Sequence, residues 1–428
     1  ITFCSSCCAL FRCGSMGICA SKPFEETPGG GVTQRRASYL AKETSAKDAE
    51  SPFPKELIGF HSNHGIKPAG FGSAAKINQD RGVIQYPLAE DNQQMLIAVY
   101  DGHGQHGEYC SEFVAFEVIE LLEADMPALT ADPKGAMFKQ IVEADNRLRK
   151  KRDVPSYESG TTAIVCVMRT DRIWAACVGD SRAVMGREPA SGGPWSAIPL
   201  SVDQKPDDPK ERVRIESKGG FVSEASDMYG PARVWRGAYG LGPGLAMARS
   251  MGDHAVAELG VYAEPEITDT EVTAADRCIV LASDGVWEFI DSQEAIDIVY
   301  KHKNNATAAS KALIATATDK WKKEEGNYRD DITAIVMFLP CLSKLAGSAG
   351  AASAKQKADF NADLQSKEDP QAAACDEAVA AAESGAGSAE PEPAAVGAEA
   401  ASGDSPSFAR RRLSCAQLGA SGSVPPPQ

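Results

Sequence analysis

Short apolar runs alternate with longer amphipathic segments between residues 58 and 340. The short runs are rich in β-branched side chains, whereas the longer segments place their apolar positions broadly on one side. Strands are predicted over 95–100, 161–168, 173–178, 182–185, 278–283 and 332–339, and helices over 108–123, 134–151 and 292–321, the last with a break near Asn304 and Asn305. Because the strands come in consecutive groups and the helices in pairs, the pattern predicts a layered α+β domain and not an alternating βαβ fold.

Composition divides the chain into three parts. Residues 1–57 form an irregular, cysteine-rich N-terminal segment, residues 58–340 carry the strand and helix pattern, and residues 341–428 are dominated by Ala, Gly, Ser, Glu and Pro. The third part offers too little apolar surface to offset the entropy lost on ordering, which predicts a disordered tail. The sequence has no apolar run of about 18 residues, so no membrane-spanning helix is expected.

Charge and cysteine content exclude several classes of protein. With 44 Lys and Arg against 59 Asp and Glu, the formal net charge of −15 argues against a nucleic-acid-binding surface. Twelve cysteines in 428 residues are too sparse for a disulfide scaffold. Cys166, Cys177 and Cys278 lie in apolar runs and are predicted to be small buried side chains. A reducing, cytoplasmic location is expected, and the absence of a coiled-coil pattern favours a monomer.

Carboxylates stand next to several predicted strand ends. Two apolar runs lead into Asp-Gly, at Asp101 and at Asp284, and further acids stand at Asp80, Asp180 and Asp330. A single Asp-Gly after a strand is ordinarily only a turn. A cluster of such acids would need a compensating cation, because removing a charge from water is costly. Oxygen ligands without thiolates suit Mg²⁺ or Mn²⁺, so a metal site is predicted if the acids converge in space.

Nine segments, in order, give the sequence a family resemblance. They are KINQD (76–80), VYDGHG (99–104), SGTTA (159–163), VGDSRA (178–183), DQKP (203–206), RIESKGG (214–220), LAMARSMGD (245–253), ASDGVW (282–287) and RDDIT (329–333). Together they resemble the metal-dependent serine/threonine protein phosphatases of type 2C, in the form typical of plant and protist members. The resemblance implies an α+β fold with a central β-sandwich of two antiparallel sheets flanked by pairs of helices, in four α-β-β-α layers.

The resemblance also implies a reaction. Phosphoserine and phosphothreonine on proteins would be hydrolysed by a water or hydroxide held between two Mg²⁺ or Mn²⁺ ions, without a covalent enzyme intermediate. By the family's roles, Asp101 would bridge both ions. The Gly102 carbonyl and Asp80 would hold one ion, and Asp284 with Asp330 would hold the other.

Further roles follow from the same resemblance. His103 would be the general acid, since an imidazole pKa near about 6.5 suits proton donation near neutral pH. Asp180 would help to hold a third, weaker ion, and Glu288 stands where the family has an Asp, one methylene shorter. Lys76 would bind the substrate phosphate in place of the Arg of many animal members, as a point charge without a bidentate fork.

Two other functions compete with this interpretation. A pseudophosphatase would bind phosphoproteins without turnover, although the complete set of acids argues against it. A cysteine-dependent phosphatase needs Cys-x5-Arg, and Cys166 to Arg172 matches that spacing. However, Cys166 lies in an apolar strand-like run without the glycines of a phosphate-binding loop.

The two ends of the chain carry short motifs. Residues 16–21 match the N-myristoylation pattern Met-Gly-x-x-x-Ser. If Met16 is the translation start, Gly17 would be the acylated residue and Cys19 a palmitoylation candidate. Two acyl chains would anchor the protein to the inner membrane surface as a peripheral protein, whereas one gives only marginal affinity. A chance match is the alternative. Arg-Arg-x-Ser sequences at Ser38 and Ser414 are candidate sites for basophilic kinases.

Overall fold

The computed structural model describes residues 39–40 (as backbone), 52–70, 72–89, 91, 93–226, 230–237 and 244–339. The acylation candidates Gly17 and Cys19, the phosphorylation candidates Ser38 and Ser414, and the predicted tail 341–428 lie outside the described residues. The predicted domain boundaries therefore stay predictions.

Eighteen strands and seven α-helices are present in the described part of the chain. In chain order the strands are β1 (Tyr39–Leu40), β2 (Ile58–Asn63), β3 (Ile66–Ala69), β4 (Gly72–Ala75), β5 (Arg81–Gln85), β6 (Met95–Tyr100), β7 (Gly102–Gly104), β8 (Ser159–Thr161), β9 (Ala163–Met168), β10 (Arg172–Val178), β11 (Arg182–Arg187), β12 (Ser196–Pro199), β13 (Phe221–Ser223), β14 (Arg233–Trp235), β15 (Met251–Gly252), β16 (Glu266–Glu271), β17 (Asp276–Ala282) and β18 (Ile332–Phe338). The α-helices are α1 (Gly107–Ala124), α2 (Met126–Ala131), α3 (Pro133–Lys150), α4 (Pro209–Ser217), α5 (Asp284–Trp287), α6 (Ser292–Lys301) and α7 (Ala306–Glu325).

Two large sheets organise these strands. One has the order β1-β5-β6-β9-β10-β16 and the other β12-β11-β17-β18-β2. Their pairings are antiparallel except for β1 with β5. A small three-stranded sheet, β15-β8-β7, joins segments that are far apart in sequence. Such pairings close long loops, and sequence periodicity does not predict them.

Alternate side chains of the central strands serve two different cores. On β6, Ile97 and Val99 belong to the cluster between the two sheets, while Leu96 and Ala98 pack with α1 and α3. On β17, the same alternation divides the residues between the inter-sheet cluster and the cluster formed with α6 and α7. The layers are therefore α-β-β-α, and the predicted fold class is confirmed.

The predicted break in the last helix is also present. Helix α6 ends at Lys301 and α7 begins at Ala306. Between them, the side chain of Asn305 accepts a hydrogen bond from the Ala308 N–H at 2.9 Å. Because an N-cap residue satisfies an N–H group that has no partner inside the helix, Asn305 starts a new helix here.

Candidate active site

The six-stranded sheet brings three of the predicted acids to one place. Asp80 precedes β5 and Asp101 follows β6, and these strands are antiparallel neighbours in which Arg81 pairs with Tyr100. The start of one strand therefore lies beside the end of the other. Asp180 follows β10 in the same sheet and is buried.

The five-stranded sheet supplies two more acids by the same geometry. Asp284 follows β17, and Asp330 lies just ahead of β18. These strands are antiparallel, with Ala282 paired with Ala334, so both acids leave the sheet at one end.

The charges of the four other carboxylates act on Asp101. Burial raises the pKa of Asp101 well above its usual value, and the charges of Asp80, Asp284, Asp330 and Asp180 raise it further. The structure thus brings together the acids that the sequence selected. Their assignment to particular ions stays a prediction.

Asp80 shows how unfavourable this cluster is without a counter-charge. Its side chain is fully buried, and burial, followed by the charge of Asp331, raises its pKa to about 8. One carboxylate oxygen, Oδ2, accepts a hydrogen bond from the Ser283 hydroxyl at 2.8 Å. The other, Oδ1, is buried without a hydrogen-bond partner among the described residues. Such an oxygen is available to a cation.

Gly102 lies where no side chain fits. A Cβ at this position would come within 2.5 Å of the Gly107 carbonyl oxygen and 2.6 Å of the Gln79 carbonyl oxygen. The Ser111 hydroxyl donates to that Gln79 oxygen at 2.6 Å. Helix α1 therefore packs closely against the predicted carbonyl ligand, directly at Gly107 and through the bond from Ser111 to Gln79.

The acids have the ligand chemistry that a divalent cation prefers, but their spacing in this structure does not form a coordination sphere. Within the described ranges, no group of three or more His, Cys, Asp or Glu side chains is arranged to hold a metal ion. Two ammonium groups approach the cluster instead, Lys76 at Asp330 and Lys205 at Asp180. Oδ1 of Asp80 and Oδ1 of Asp180 are nevertheless buried and unpartnered within that part of the chain. An all-oxygen donor set suits Mg²⁺ or Mn²⁺.

Lys76 is tied to the acids in this structure. Its Nζ lies 2.6 Å from Asp330 Oδ1 and 5.4 Å from the centre of the Tyr328 ring. Burial alone would lower the pKa of Lys76, but the charges of Asp330 and Asp331 outweigh burial and raise it. The predicted phosphate-binding group is therefore a permanent cation beside the site, and its role toward phosphate stays a prediction.

The residues predicted for a third ion lie on two elements. Asp180 is buried and its Oδ2 accepts a hydrogen bond from Lys205 Nζ. Glu288 follows α5, and its backbone N–H donates to the Asp284 carbonyl at 2.8 Å, so it stands one helical turn after that acid. The presence of an ion between them stays a prediction.

His103 is paired with a carboxylate that the sequence analysis did not select. Its Nε2 lies 2.5 Å from Asp253 Oδ2. Burial lowers the pKa of His103, but the charge of Asp253 and the hydrogen bond to it outweigh burial and raise the pKa. The ring therefore keeps its proton to higher pH, as a general acid requires.

Asp331 is another acid that the sequence analysis did not select, because nothing in the sequence distinguishes it from its neighbour Asp330. Its Oδ2 accepts the Gln79 N–H at 2.9 Å, and its Oδ1 accepts the Gly65 N–H. Burial raises the pKa of Asp331 to about 6. Asp331 thus fixes the loop that carries Asp80. The Asp-Asp pair was visible in the sequence, but which acid turns inward depends on the backbone.

The cysteine alternative has no accessible nucleophile. Cys166 is fully buried on β9, and burial raises the pKa of its thiol far above neutral pH. A buried, protonated thiol is inert. Cys177 and Cys278 are also buried and free, which confirms that they serve as small apolar side chains.

The α-β-β-α layers and the acids at the strand ends are the features that a phosphatase of type 2C is expected to have. The family model described as "Protein phosphatase 2C" matches residues 72–326. "Probable protein phosphatase 2C 34" of Arabidopsis thaliana is 34% identical over 324 residues, which cover 70% of this chain and 89% of that protein. "Probable protein phosphatase 2C 64" of Oryza sativa subsp. japonica is 36% identical over 271 residues, which cover 61% and 62%.

A solved structure supports the same fold. The serine-threonine phosphatase 2C from Toxoplasma gondii superimposes with a TM-score of 0.56 at 23% identity, covering 66% of this chain and 94% of that one. The chain belongs to the protein phosphatase 2C family, and it is a protein phosphatase. The resemblance stated from the motifs is confirmed.

Proposed function

We propose that this phosphatase hydrolyses phosphoserine and phosphothreonine on proteins with Mg²⁺ or Mn²⁺ held by the acids at the strand ends of its two large sheets. The observation that carries the proposal is the convergence of four carboxylates on Asp101, which raises the pKa of that group. Oxygen ligands in such number favour a hard divalent cation. No observation on the described residues favours a pseudophosphatase.

The chain supplies ligands on both sheets. Asp80, Asp101 and the Gly102 carbonyl would hold one ion, and Asp101 with Asp284 and Asp330 would hold a second. When bound, divalent cations lower the pKa of water and stabilise the charge that develops on a phosphoryl group. Asp331 and Ser283 keep Asp80 in place through the hydrogen bonds described above.

His103 provides the proton that the leaving group needs. An alkoxide is a poor leaving group, so the serine or threonine oxygen must be protonated as its bond to phosphorus breaks. The pairing with Asp253 keeps the imidazole protonated and oriented. Lys76 lies beside the same acids and would attract the substrate phosphate as a point charge.

Direct attack of water can be tested by stereochemistry. A peptide with an isotopically chiral thiophosphothreonine would be hydrolysed by the full chain in oxygen-labelled water. We expect inversion at phosphorus and no phosphorylated protein after an acid quench. Retention, or a trapped phosphoprotein, would show a covalent intermediate and contradict the proposal.

Three further proposals rest on the sequence. Asp180 and Glu288 would add a third ion, and acylation at Gly17 and Cys19 would attach the protein to the inner membrane surface. The protein would otherwise act as a cytoplasmic monomer. None of the described helices is long and apolar enough to cross a membrane. Intact-mass analysis after expression from Met16 with N-myristoyltransferase tests the acylation of Gly17, and light scattering tests the oligomeric state.

A further inference from the structure

Asp253 lies directly against the predicted proton donor. Its Oδ2 is 2.5 Å from His103 Nε2, and the Ser250 hydroxyl donates to the same oxygen at 2.6 Å. The Asp253 carboxylate is 4% exposed, against 21% for the imidazole. The acid therefore holds the ring at Nε2. The other ring nitrogen, Nδ1, is also buried and has no hydrogen-bond partner within the described residues.

The small sheet β15-β8-β7 builds this contact. Gly160 on β8 pairs with His103 on one side and with Gly252 on the other. A Cβ at Gly160 would overlap with Asp253 Oδ2. The missing side chain thus opens the space through which the carboxylate reaches the imidazole across the middle strand.

The backbone at Asp253 is held in an uncommon conformation. Its φ of 47° lies in the left-handed region, which costs a residue with a side chain about 1 kcal/mol. The Asp253 N–H donates to the Ser159 carbonyl at 3.0 Å and keeps the residue there. A strained residue that delivers a carboxylate to a reactive group is a sign of function.

A second set of contacts anchors the same segment to α3. Asp145 Oδ1 accepts the Gly252 N–H at 2.8 Å and lies 3.0 Å from His254 Nε2. The Ser156 hydroxyl lies 3.1 Å from His254 Nδ1. The residues on both sides of Asp253 are therefore fixed, and its carboxylate has little freedom to leave His103.

We propose that Asp253 is a positioning residue that fixes the orientation and tautomer of His103, so that one ring nitrogen is committed to Asp253 and the other to proton transfer. The inference rests on the proposed role of His103 as proton donor. A carboxylate that accepts a hydrogen bond from one imidazole nitrogen keeps the proton on that nitrogen. The other nitrogen is then the one that can give up or take a proton. In the reaction, water oxygen bonds to phosphorus and loses one proton to solvent, the bond to the threonine oxygen breaks, and that oxygen takes its proton from His103. Solvent then returns a proton to the ring.

Leaving-group dependence separates positioning from a structural role. A phosphothreonine peptide needs a proton on its leaving oxygen, whereas 4-nitrophenyl phosphate does not. We expect Asp253→Asn to lower kcat on the peptide by about 10- to 100-fold, and on the nitrophenyl ester by less than about threefold, the pattern also expected of His103→Ala. The double variant should be no slower on the peptide than His103→Ala alone, because the two residues act as one unit.

Control variants keep the test decisive. Asp276→Asn removes a buried carboxylate at the far end of β17 and should leave the ratio of the two rates unchanged. If Asp253→Asn does not fold, Ser250→Ala keeps the carboxylate but removes its second partner, and should lower only the peptide rate. At a pH above the pKa of the ring, the ¹⁵N shifts of His103 in the Mg²⁺-loaded full chain should show one tautomer, with a mixture in folded Asp253→Asn and Ser250→Ala and no change in Asp276→Asn.

The outcomes distinguish a failure of the proposed role of Asp253 from a failure of the proposed role of His103. Equal losses of Asp253→Asn on both substrates, or losses that add in the double variant, would overturn the role of Asp253 alone. If His103→Ala itself slows both substrates equally, the proposed proton donor is wrong, and the inference fails with it. The wild-type chain would still hydrolyse both substrates in either case, so the proposed phosphatase function would stand.

Discussion

Replacing Asp80 by Asn should stabilise the metal-free protein and destabilise the metal-bound one. Asp80 is fully buried, and its pKa rises from 3.8 to about 8 because burial and Asp331 disfavour the charged form. Asn has nearly the same shape but no charge, and its carbonyl can still accept the Ser283 hydroxyl. The substitution therefore removes the electrostatic cost and leaves most of the packing intact.

The sign follows from linkage between protonation and folding. The folded pKa lies above the unfolded one, so the stability linked to this carboxyl is fully present below about pH 4 and is lost as the pH rises toward 8. The interval up to pH 7 corresponds to about 4 kcal/mol at about 1.4 kcal/mol per pH unit. Asp331 causes part of this elevation, and we expect Asp80→Asn to gain about 2 kcal/mol at pH 7.

Thermal unfolding of the full chain measures the effect. In EDTA, about 2 kcal/mol corresponds to a rise in Tm of about 4 to 8 °C, and the rise should shrink toward pH 5. With Mn²⁺ at about 100 times its Kd, the wild-type protein should gain about 2.7 kcal/mol, and the variant much less.

A matched control and two outcomes make the prediction refutable. Asp276 is an equally buried carboxylate, but it pairs with Arg187 Nε at 2.7 Å, so Asp276→Asn should lower the Tm equally with and without metal. If Asp80→Asn lowers the Tm in EDTA at pH 8, the uncompensated-charge argument is wrong. If Mn²⁺ stabilises the variant as much as the wild type, Asp80 is not a ligand.

Three other substitutions probe the groups around the acids. Lys76→Met should raise KM for a phosphothreonine peptide by about 10-fold, or about 1.4 kcal/mol, and lower the Tm in EDTA because Asp330 loses its counter-charge; unchanged KM would refute the phosphate role. Lys205→Gln should free Asp180 for a cation and add about one bound Mn²⁺ in calorimetric titration; an unchanged stoichiometry would refute that competition. Cys166→Ser should lower the Tm by burying a hydroxyl but leave kcat intact; lost turnover in a folded variant would revive the cysteine mechanism.

The central strands could be predicted because both of their faces are buried. In β6 every residue is buried, so its sequence is a continuous apolar run. Strand β16 was missed because it lies at a sheet edge and mixes exposed polar residues with half-buried ones. Strand β5 was missed because it contains Arg81. The guanidinium of this buried residue donates to the carbonyls of Asn78 and Asp80. These bonds make its burial possible, and the hydrophobic pattern of the sequence does not indicate them.

The site could be predicted only in part. Acids at strand ends pointed to a cluster, and the antiparallel registers of β5 with β6 and β17 with β18 explain why they converge. Asp253 and Asp331 escaped selection because their roles depend on contacts across 150 and 252 residues of chain. A left-handed backbone at Asp253 and two accepted N–H groups at Asp331 give these acids their partners. The spacing of residues along the sequence does not predict such contacts.

Metal dependence of turnover tests the central claim most directly. The full chain would be assayed on a phosphothreonine peptide with Mn²⁺ or Mg²⁺, with EDTA, and as the Asp101→Asn variant at saturating metal. We predict that EDTA abolishes turnover, that added metal restores it, and that Asp101→Asn loses at least about 10³-fold in kcat, roughly 4 kcal/mol of transition-state stabilisation. Turnover that persists in EDTA, or in a folded Asp101→Asn variant, would contradict the account.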